Sequence, residues 1–84
     1  MEIVRNLQIP LYGLGRGRDG VRTIERELAA SDGVLRVYVN PATETAHVDY
    51  DPSEIDLVTL VRAIERAGYG AGRPVGALTR RSTG

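Results

Sequence analysis

The chain has 84 residues, of which 42% are hydrophobic and 26% charged, values typical of one globular domain with a small core. Its 11 basic and 11 acidic residues cancel, so no overall field would attract nucleic acid or an anionic membrane. The absence of cysteine excludes disulfides, thiolate metal sites and cysteine nucleophiles. The N-terminus does not resemble a signal peptide and no apolar run approaches a membrane span, so we expect a cytoplasmic protein without membrane insertion.

The first predicted element is a strand over residues 3–11. Its alternate positions are apolar on one side except for Arg5, which predicts a half-buried strand. Pro10 cannot donate a hydrogen bond to a neighbouring strand, so we expect the pairing to weaken or bulge there. The following loop, residues 13–20, holds four of the ten glycines.

A helix is predicted after this loop. Val21, Ile24 and Leu28 recur at the spacing of one helical face. Asp19 is the expected N-cap, and Gly33 suits a left-handed residue at the C-terminal end.

Two strands are predicted next, over residues 34–39 and 46–50. The segment between them, residues 40–44, reads Asn-Pro-Ala-Thr-Glu, which is typical of a turn. In the second of these strands, His47 and Asp49 alternate with apolar residues, so we expect both on the open face of the sheet.

The second helix has the clearest signals. Asp56 is the predicted N-cap, Ile55 and Leu60 can form a hydrophobic staple around it, and Gly68 ends the helix. The apolar stripe of this helix contains Leu57, Leu60, Val61 and Ile64. A short strand is predicted over 69–75, which closes a domain of residues 1–75. Residues 76–84 show no periodicity and are predicted to be a flexible C-terminal tail.

The element order βαββαβ is that of a split βαβ sandwich. The pattern Val-Arg-x-Ile-Glu-Arg at residues 21–26 recurs at residues 61–66, consistent with two βαβ halves. Right-handed crossovers then place both helices on one face of a four-stranded antiparallel sheet, the ferredoxin-like α+β architecture. In this topology the loop 13–20, the turn 40–44 and the segment 68–70 meet at one end. We predict one core containing Leu28, Val37, Val48, Leu60 and Ile64.

Four segments in this order resemble the heavy-metal-associated domain of copper chaperones and metal-transporting ATPases: residues 21–28, 32–40, 42–52 and 60–69. The resemblance covers roughly residues 3–73. Each segment is weak alone, but their order and spacing support the ferredoxin-like fold. The resemblance further implies a module of metal transport or detoxification proteins, which is expected to be non-catalytic.

The resemblance breaks at the first loop, where the family reads Gly-Met-Thr-Cys-x-x-Cys and binds Cu(I) through two thiolates. Counting back from the first helix without gaps, those cysteines fall at Gly17 and Gly20, neither of which has a ligating side chain. If Gly13 and Leu14 are instead matched to the family's Gly-Met pair, the loop is one residue longer than usual. Tyr69 corresponds to the family's metal-site tyrosine, and with Leu14 it is expected to pack in the loop. We therefore predict a degenerate domain without a cofactor, which acts by protein interaction or regulation. The expected partner is a metal transporter or a second copy of the chain.

Two alternatives remain open. Residual metal binding would need oxygen or nitrogen donors, because Met1 is the only sulfur-containing residue and His47 is the only histidine. Alternatively, the loop could bind an anion. Its possible binding residues are Gly15, Arg16, Gly17, Arg18 and Gly20.

The anion hypothesis follows from the position of these residues before a helix, since glycine amides and a helix N-terminus attract negative charge. They also form a G-x-G-x-x-G motif, but the chain is too short for the parallel sheet of a dinucleotide fold. A flexible loop left after loss of the metal site would explain the same glycines.

Nucleic-acid binding and catalysis have little support in the sequence. RNA-recognition modules of this topology stack bases on aromatic side chains, and here only Tyr38 is expected on the open face of the sheet. No nucleophile–base pair or carboxylate pair has a recognisable spacing, so we expect neither a nucleic-acid partner nor an enzyme.

Overall fold

The computed structural model describes residues 3–14 and 19–80, and the side chains of 3–14 and 19–76. Two helices pack against one antiparallel sheet, the predicted α+β arrangement. The elements in chain order are β1 (Ile3–Tyr12), α1 (Asp19–Ala29), β2 (Val34–Asn40), β3 (Thr45–Tyr50), α2 (Leu57–Arg66), β4 (Gly70–Ala71) and β5 (Val75–Arg80). None of the helices in these ranges is long and apolar enough to cross a membrane.

The sheet has the strand order β2-β3-β1-β4, and β5 pairs with the same side of β1 as β4 does. β1 is therefore a central strand, with β3 along its other side. The single strand predicted over 69–75 is corrected, because two short strands, β4 and β5, lie along that side of β1. The five strands therefore occupy the four predicted positions of the sheet.

The strand pairing along this side of β1 is interrupted between β4 and β5. Leu11 pairs with Ala71 and Gln8 pairs with Val75, so two residues of β1 face three residues of the other chain segment. The extra residue falls in the segment 72–74, whose proline cannot donate to a ladder and suits a bulge. The Gly72 amide nevertheless donates to the carbonyl oxygen of Pro10 at 2.7 Å, which keeps the two segments together.

The predicted boundary after residue 75 is also corrected, because residues 75–80 form β5 along β1. The tail was predicted because residues 76–84 show no apolar periodicity, whereas β5 is defined by its backbone pairing with the distant β1. Residues 81–84 of that tail lie outside the described residues, and its flexibility stays a prediction.

The core lies between the helices and one face of the sheet. Four of the five predicted core residues are completely buried, and Val37 is half-buried against them. The completely buried members of the predicted set are Leu28, Val48, Leu60 and Ile64. On β1 the predicted face is buried only from Leu7 onwards, whereas Ile3 and Arg5 at its start are exposed.

The helix ends show why the chain turns where it does. The Asp56 carboxylate accepts hydrogen bonds from the backbone amide and the hydroxyl of Thr59, at 2.9 and 2.7 Å, as expected of an N-cap. Asp19 is the first residue of α1 rather than the residue before it. Gly33 has the expected left-handed conformation (φ 97°), but it lies in the turn before β2, four residues beyond the end of α1.

Side chains on the open face of the sheet follow the strand register. Tyr38, His47, Gln8 and Val75 form one row across four strands, since each pairs with the next. Tyr12 lies further along β1 on the same face and is 62% exposed, so Tyr38 is not the only tyrosine there. The expectation of a single tyrosine was wrong because the predicted first strand ended at residue 11.

Candidate functional site

The loop end of the molecule brings Leu14, Gly20 and Tyr69 together. Leu14 is buried, Gly20 lies buried in the first turn of α1, and Tyr69 is half-buried. A β-carbon added at Gly20 would stand 2.9 Å from the Tyr69 hydroxyl oxygen and 3.0 Å from Cδ1 of Leu14. These separations are shorter than van der Waals contact. The space beside Gly20 is therefore already filled by the two neighbouring side chains.

Tyr69 reaches this position because of the way α2 ends. The amide of Gly68 donates to the Glu65 carbonyl at 2.9 Å, and the amide of Tyr69 donates to the Ile64 carbonyl at 3.2 Å. Together with the left-handed conformation of Gly68 (φ 99°), these bonds form a Schellman motif. The motif reverses the chain direction at the end of α2 and turns Tyr69 back towards the start of α1.

The remaining predicted loop residues, Gly15, Arg16, Gly17 and Arg18, lie outside the described residues. Of the proposed anion-binding set, the structure therefore places only Gly20. Beside it, the Thr23 hydroxyl donates to the Asp19 carbonyl at 2.7 Å within α1. The anion hypothesis stays a prediction.

The donor set for a soft metal ion does not fit this site. Cu(I) prefers sulfur ligands, and the whole chain has no cysteine. Gly20, the predicted counterpart of the second family cysteine, offers no ligating side chain. In the described ranges, no group of three or more His, Cys, Asp or Glu side chains is arranged to hold a metal ion.

His47 lies away from this loop, on β3 in the open face of the sheet. Its ring stacks on that of Tyr38, with centroids 5.9 Å apart and 30° between planes. Its neighbour on β3, Asp49, already accepts a hydrogen bond from the Asn6 side-chain amide. The histidine thus has an aromatic partner, and the nearest acid along its strand is engaged elsewhere.

Clear pKa shifts occur at the opposite end of the domain, where the chain leads into α2. Hydrogen bonds from the Ser53 hydroxyl and amide lower the pKa of Asp51. Hydrogen bonds from the Thr59 hydroxyl and amide likewise lower the pKa of Asp56. Both carboxylates are held by turn or capping geometry, so these shifts have a structural cause.

Comparison with known proteins identifies a family model that matches this chain. The profile of the heavy-metal-associated domain matches residues 20–70, more than half of the chain. The match begins at Gly20, so Gly17, the predicted counterpart of the first family cysteine, lies outside it. It covers all of β2, β3 and α2 and all but the first residue of α1.

The relatives include transporters and chaperones. A copper-exporting P-type ATPase of Staphylococcus aureus (strain Newman) is 48% identical over 48 residues, which are 57% of this chain and 6% of that protein. The N-terminal domain of PacS from Synechocystis PCC6803 is 37% identical, with a TM-score of 0.69, and the match covers 83% of this chain and 96% of that one. The CopZ metallochaperone is 27% identical, with a TM-score of 0.75, over 80% of this chain and 98% of that one.

The chain thus spans only a small fraction of the transporter but nearly all of the single-domain structures. Domains of this type are typically non-catalytic metal-binding modules that interact with partner proteins such as metal transporters. The fold, the family profile and the relatives agree with one another, and the sequence has no cysteine. The chain belongs to the heavy-metal-associated domain family, as a degenerate member without the CxxC motif.

Proposed function

We propose that this domain is a non-catalytic interaction module that contacts a protein partner without carrying a metal ion. The single observation that carries the proposal is that the space beside Gly20, the residue that we match to the second family cysteine, is filled. Gly20 has no ligand to offer there, and Tyr69 and Leu14 fill the adjoining space. A module without metal ligands can act through contact alone, and the family scaffold is what this chain shares with the transporter and chaperone domains.

The partner we propose is a metal-transporting ATPase, contacted through its own heavy-metal-associated domain, or a second copy of this chain. Relatives of the chain include a copper-exporting ATPase and a metallochaperone, and both classes carry this fold. Without metal to transfer, the contact itself would be the function, for example by occupying the transporter domain that a loaded chaperone would otherwise meet.

Nuclear magnetic resonance titration tests this function. The isotope-labelled domain is titrated with the purified N-terminal domain of the copper-exporting ATPase from the same genome, with and without Cu(I). We expect saturable shifts at the loop end, around Leu14, Gly20 and Tyr69, that do not require Cu(I). Sedimentation of the domain alone measures pairing with a second copy. Absence of both interactions, or shifts seen only with Cu(I), would contradict the proposal.

A further inference from the structure

A cleft lies at the end of the domain opposite the glycine-rich loop, between the start of β1, the end of β3 and the start of α2. It has a volume of about 240 Å³ and is lined by Arg5, Tyr50, Pro52, Ile55, Asp56 and Leu57. The volume is small for a ligand site, which restricts any occupant to a compact molecule. Neither the family match nor the interaction proposed above explains why these side chains meet here.

Arg5 provides the cation of the cleft. It occupies the side of β1 that carries the buried Leu7 and Ile9, so it interrupts an otherwise apolar stripe. It pairs directly with Tyr50 of β3, which places the two side chains next to each other on the helix side of the sheet. Arg5 is exposed, and its guanidinium group can donate two parallel hydrogen bonds to a carboxylate.

Tyr50 provides a neutral donor at the floor of the cleft. The residue is only 3% exposed, and its hydroxyl group has no hydrogen-bond partner among the side chains and backbone groups described. Within that part of the chain, no side-chain oxygen or nitrogen is both fully buried and unpartnered. Tyr50 lines the cleft, and none of the hydrogen bonds described elsewhere in this part of the chain uses its hydroxyl group.

Asp56 provides the anion. Both of its hydrogen bonds from Thr59 end on Oδ1, so Oδ2 accepts none of the hydrogen bonds described, and Asp56 lines the cleft. The same bonds lower the pKa of Asp56, so the carboxylate is ionised at neutral pH. Arg5 and Asp56 thus both line one small cleft, together with the apolar residues Pro52, Ile55 and Leu57. The Arg62 cation, outside this lining, also lowers the pKa of Asp56.

The walls of the cleft are held in place before any ligand arrives. The amides of Glu54 and Ile55 donate to the Asp51 carbonyl at 3.0 and 3.1 Å, and the Asp51 amide donates to the Gly33 carbonyl at 2.8 Å. The Asp51 side chain also accepts from the amide and hydroxyl of Ser53. Such pre-organisation lowers the entropy lost on binding.

We propose that this cleft binds a free α-amino acid with an aliphatic side chain. The ligand's carboxylate would accept hydrogen bonds from Arg5 and Tyr50, its ammonium group would donate to Oδ2 of Asp56, and its side chain would pack on Ile55 and Leu57. A simple anion meets the repulsion of Asp56 and a simple amine that of Arg5. Only a zwitterion with an apolar body matches all three features.

L-Leucine is the probe that tests this inference, with the full chain labelled for nuclear magnetic resonance. We expect saturable shifts confined to residues 5, 50 and 52–57, with a dissociation constant of roughly 1–10 mM for so small and open a cleft. Leucinamide, which lacks the carboxylate, and 4-methylpentanoate, which lacks the amine, should each bind about tenfold more weakly. Equal binding of either analogue would overturn the assignment of a zwitterion.

Three variants locate the binding. Arg5→Gln should weaken L-leucine binding about tenfold, whereas Arg36→Gln removes an exposed cation from the open face and should leave binding unchanged. Tyr50→Phe and Asp56→Asn keep the shape of their side chains and should each weaken binding several-fold while the thermal midpoint stays near that of the parent protein. Shifts that persist in Arg5→Gln, or no saturable shifts in the parent, would overturn the proposal. Because this cleft is remote from the loop end, failure here would leave the interaction proposal untouched.

Discussion

The Tyr69 hydroxyl oxygen lies 2.9 Å from the point at which a β-carbon of residue 20 would stand. Residue 20 is the glycine that we match to the second family cysteine. The space beside residue 20 is therefore too small for an added side chain unless its neighbours move. The position is occupied by the chain's own side chains, with Leu14 completing the contact at 3.0 Å.

A double-mutant cycle on Gly20→Ala and Tyr69→Phe measures this relationship. Alanine at 20 favours the helix but crowds the tyrosine hydroxyl, and phenylalanine at 69 removes that oxygen and leaves Cζ at 3.2 Å. We expect Gly20→Ala to be better tolerated in the Tyr69→Phe protein, with a coupling energy of about 0.5–2 kcal/mol. Urea denaturation of the four proteins provides the measurement. Additive effects would mean that the hydroxyl does not restrict position 20.

Removal of one core side chain tests the packing of α2. Ile64 is completely buried among residues of both helices and the sheet, so Ile64→Ala removes apolar contacts and leaves a cavity. We expect a loss of about 2–5 kcal/mol in the free energy of unfolding. Val58→Ala is the matched control, because Val58 on the same helix is 57% exposed and should change stability little. A loss below about 0.5 kcal/mol for Ile64→Ala would contradict the buried face described.

The strands, helices and core were predictable because their signals are local. The apolar period of α2, its cap at Asp56 and the alternation around Val48 each depend on neighbouring residues, and the structure bears them out. The two last strands, β4 and β5, could not be predicted from local signals in the same way. Gly72 and Pro74 indicated a weak strand, whereas continuation as β5 depends on pairing with the distant β1.

Each candidate site likewise has one feature that is visible in the sequence and one that depends on the fold. Loss of the metal ligands follows from the cysteine count alone, but the filling of their space by Tyr69 depends on the Schellman motif that ends α2. In the opposite cleft, Arg5 was visible as a break in the apolar alternation. Its pairing with Tyr50 could be recognised only once the register of β1 and β3 was known.

The pH dependence of stability tests the cap of α2. Hydrogen bonds from Thr59 lower the pKa of Asp56 in the folded state, so the unfolded state binds more protons between the folded and unfolded pKa values. This contribution is complete above the unfolded pKa, near 3.8, and is lost as the pH falls through the folded pKa. Asp56→Asn can still cap the helix but does not titrate. We therefore expect its thermal midpoint to fall less steeply than that of the parent below this pH.

Thermal unfolding from pH 2 to 7 provides the comparison. Asp51 also has a lowered pKa, through Ser53, so both proteins should lose some stability in acid, and only the difference between them reports on Asp56. Parallel curves would contradict the contribution assigned to the cap.

Phosphate dependence tests the anion hypothesis for the loop. If Arg16, Arg18 and the neighbouring glycine amides bind phosphate-like anions, phosphate or sulfate should raise the thermal midpoint at fixed ionic strength. Changing both arginines to alanine should abolish the rise. The matched control changes Arg26 and Arg36 to alanine, which removes the same charge from exposed positions elsewhere. An equal response of all three proteins would indicate a general salt effect and no site in the loop.

Cu(I) competition tests the loss of metal carriage. Affinity in this family depends on two thiolates, which are soft donors that neither a glycine backbone nor a single imidazole replaces. The untagged protein in reductant should therefore fail to remove Cu(I) from a chelator that cysteine-containing relatives outcompete. Stoichiometric capture by the parent protein would show that other residues bind the metal.

Cysteines restored at positions 17 and 20 provide the complementary measurement. Gly17→Cys with Gly20→Cys supplies both thiolates, but a side chain at 20 must displace the Tyr69 hydroxyl, whose oxygen is 2.9 Å from the new β-carbon. We expect this double variant to capture Cu(I), and to capture it more tightly when Tyr69→Phe is added, because less energy is then spent in opening the space. The single changes Gly17→Cys and Gly20→Cys serve as controls, since one thiolate cannot form the family site. Equal affinity with and without Tyr69→Phe would mean that the tyrosine does not close the position, and that loss of the cysteines alone accounts for the absence of metal binding.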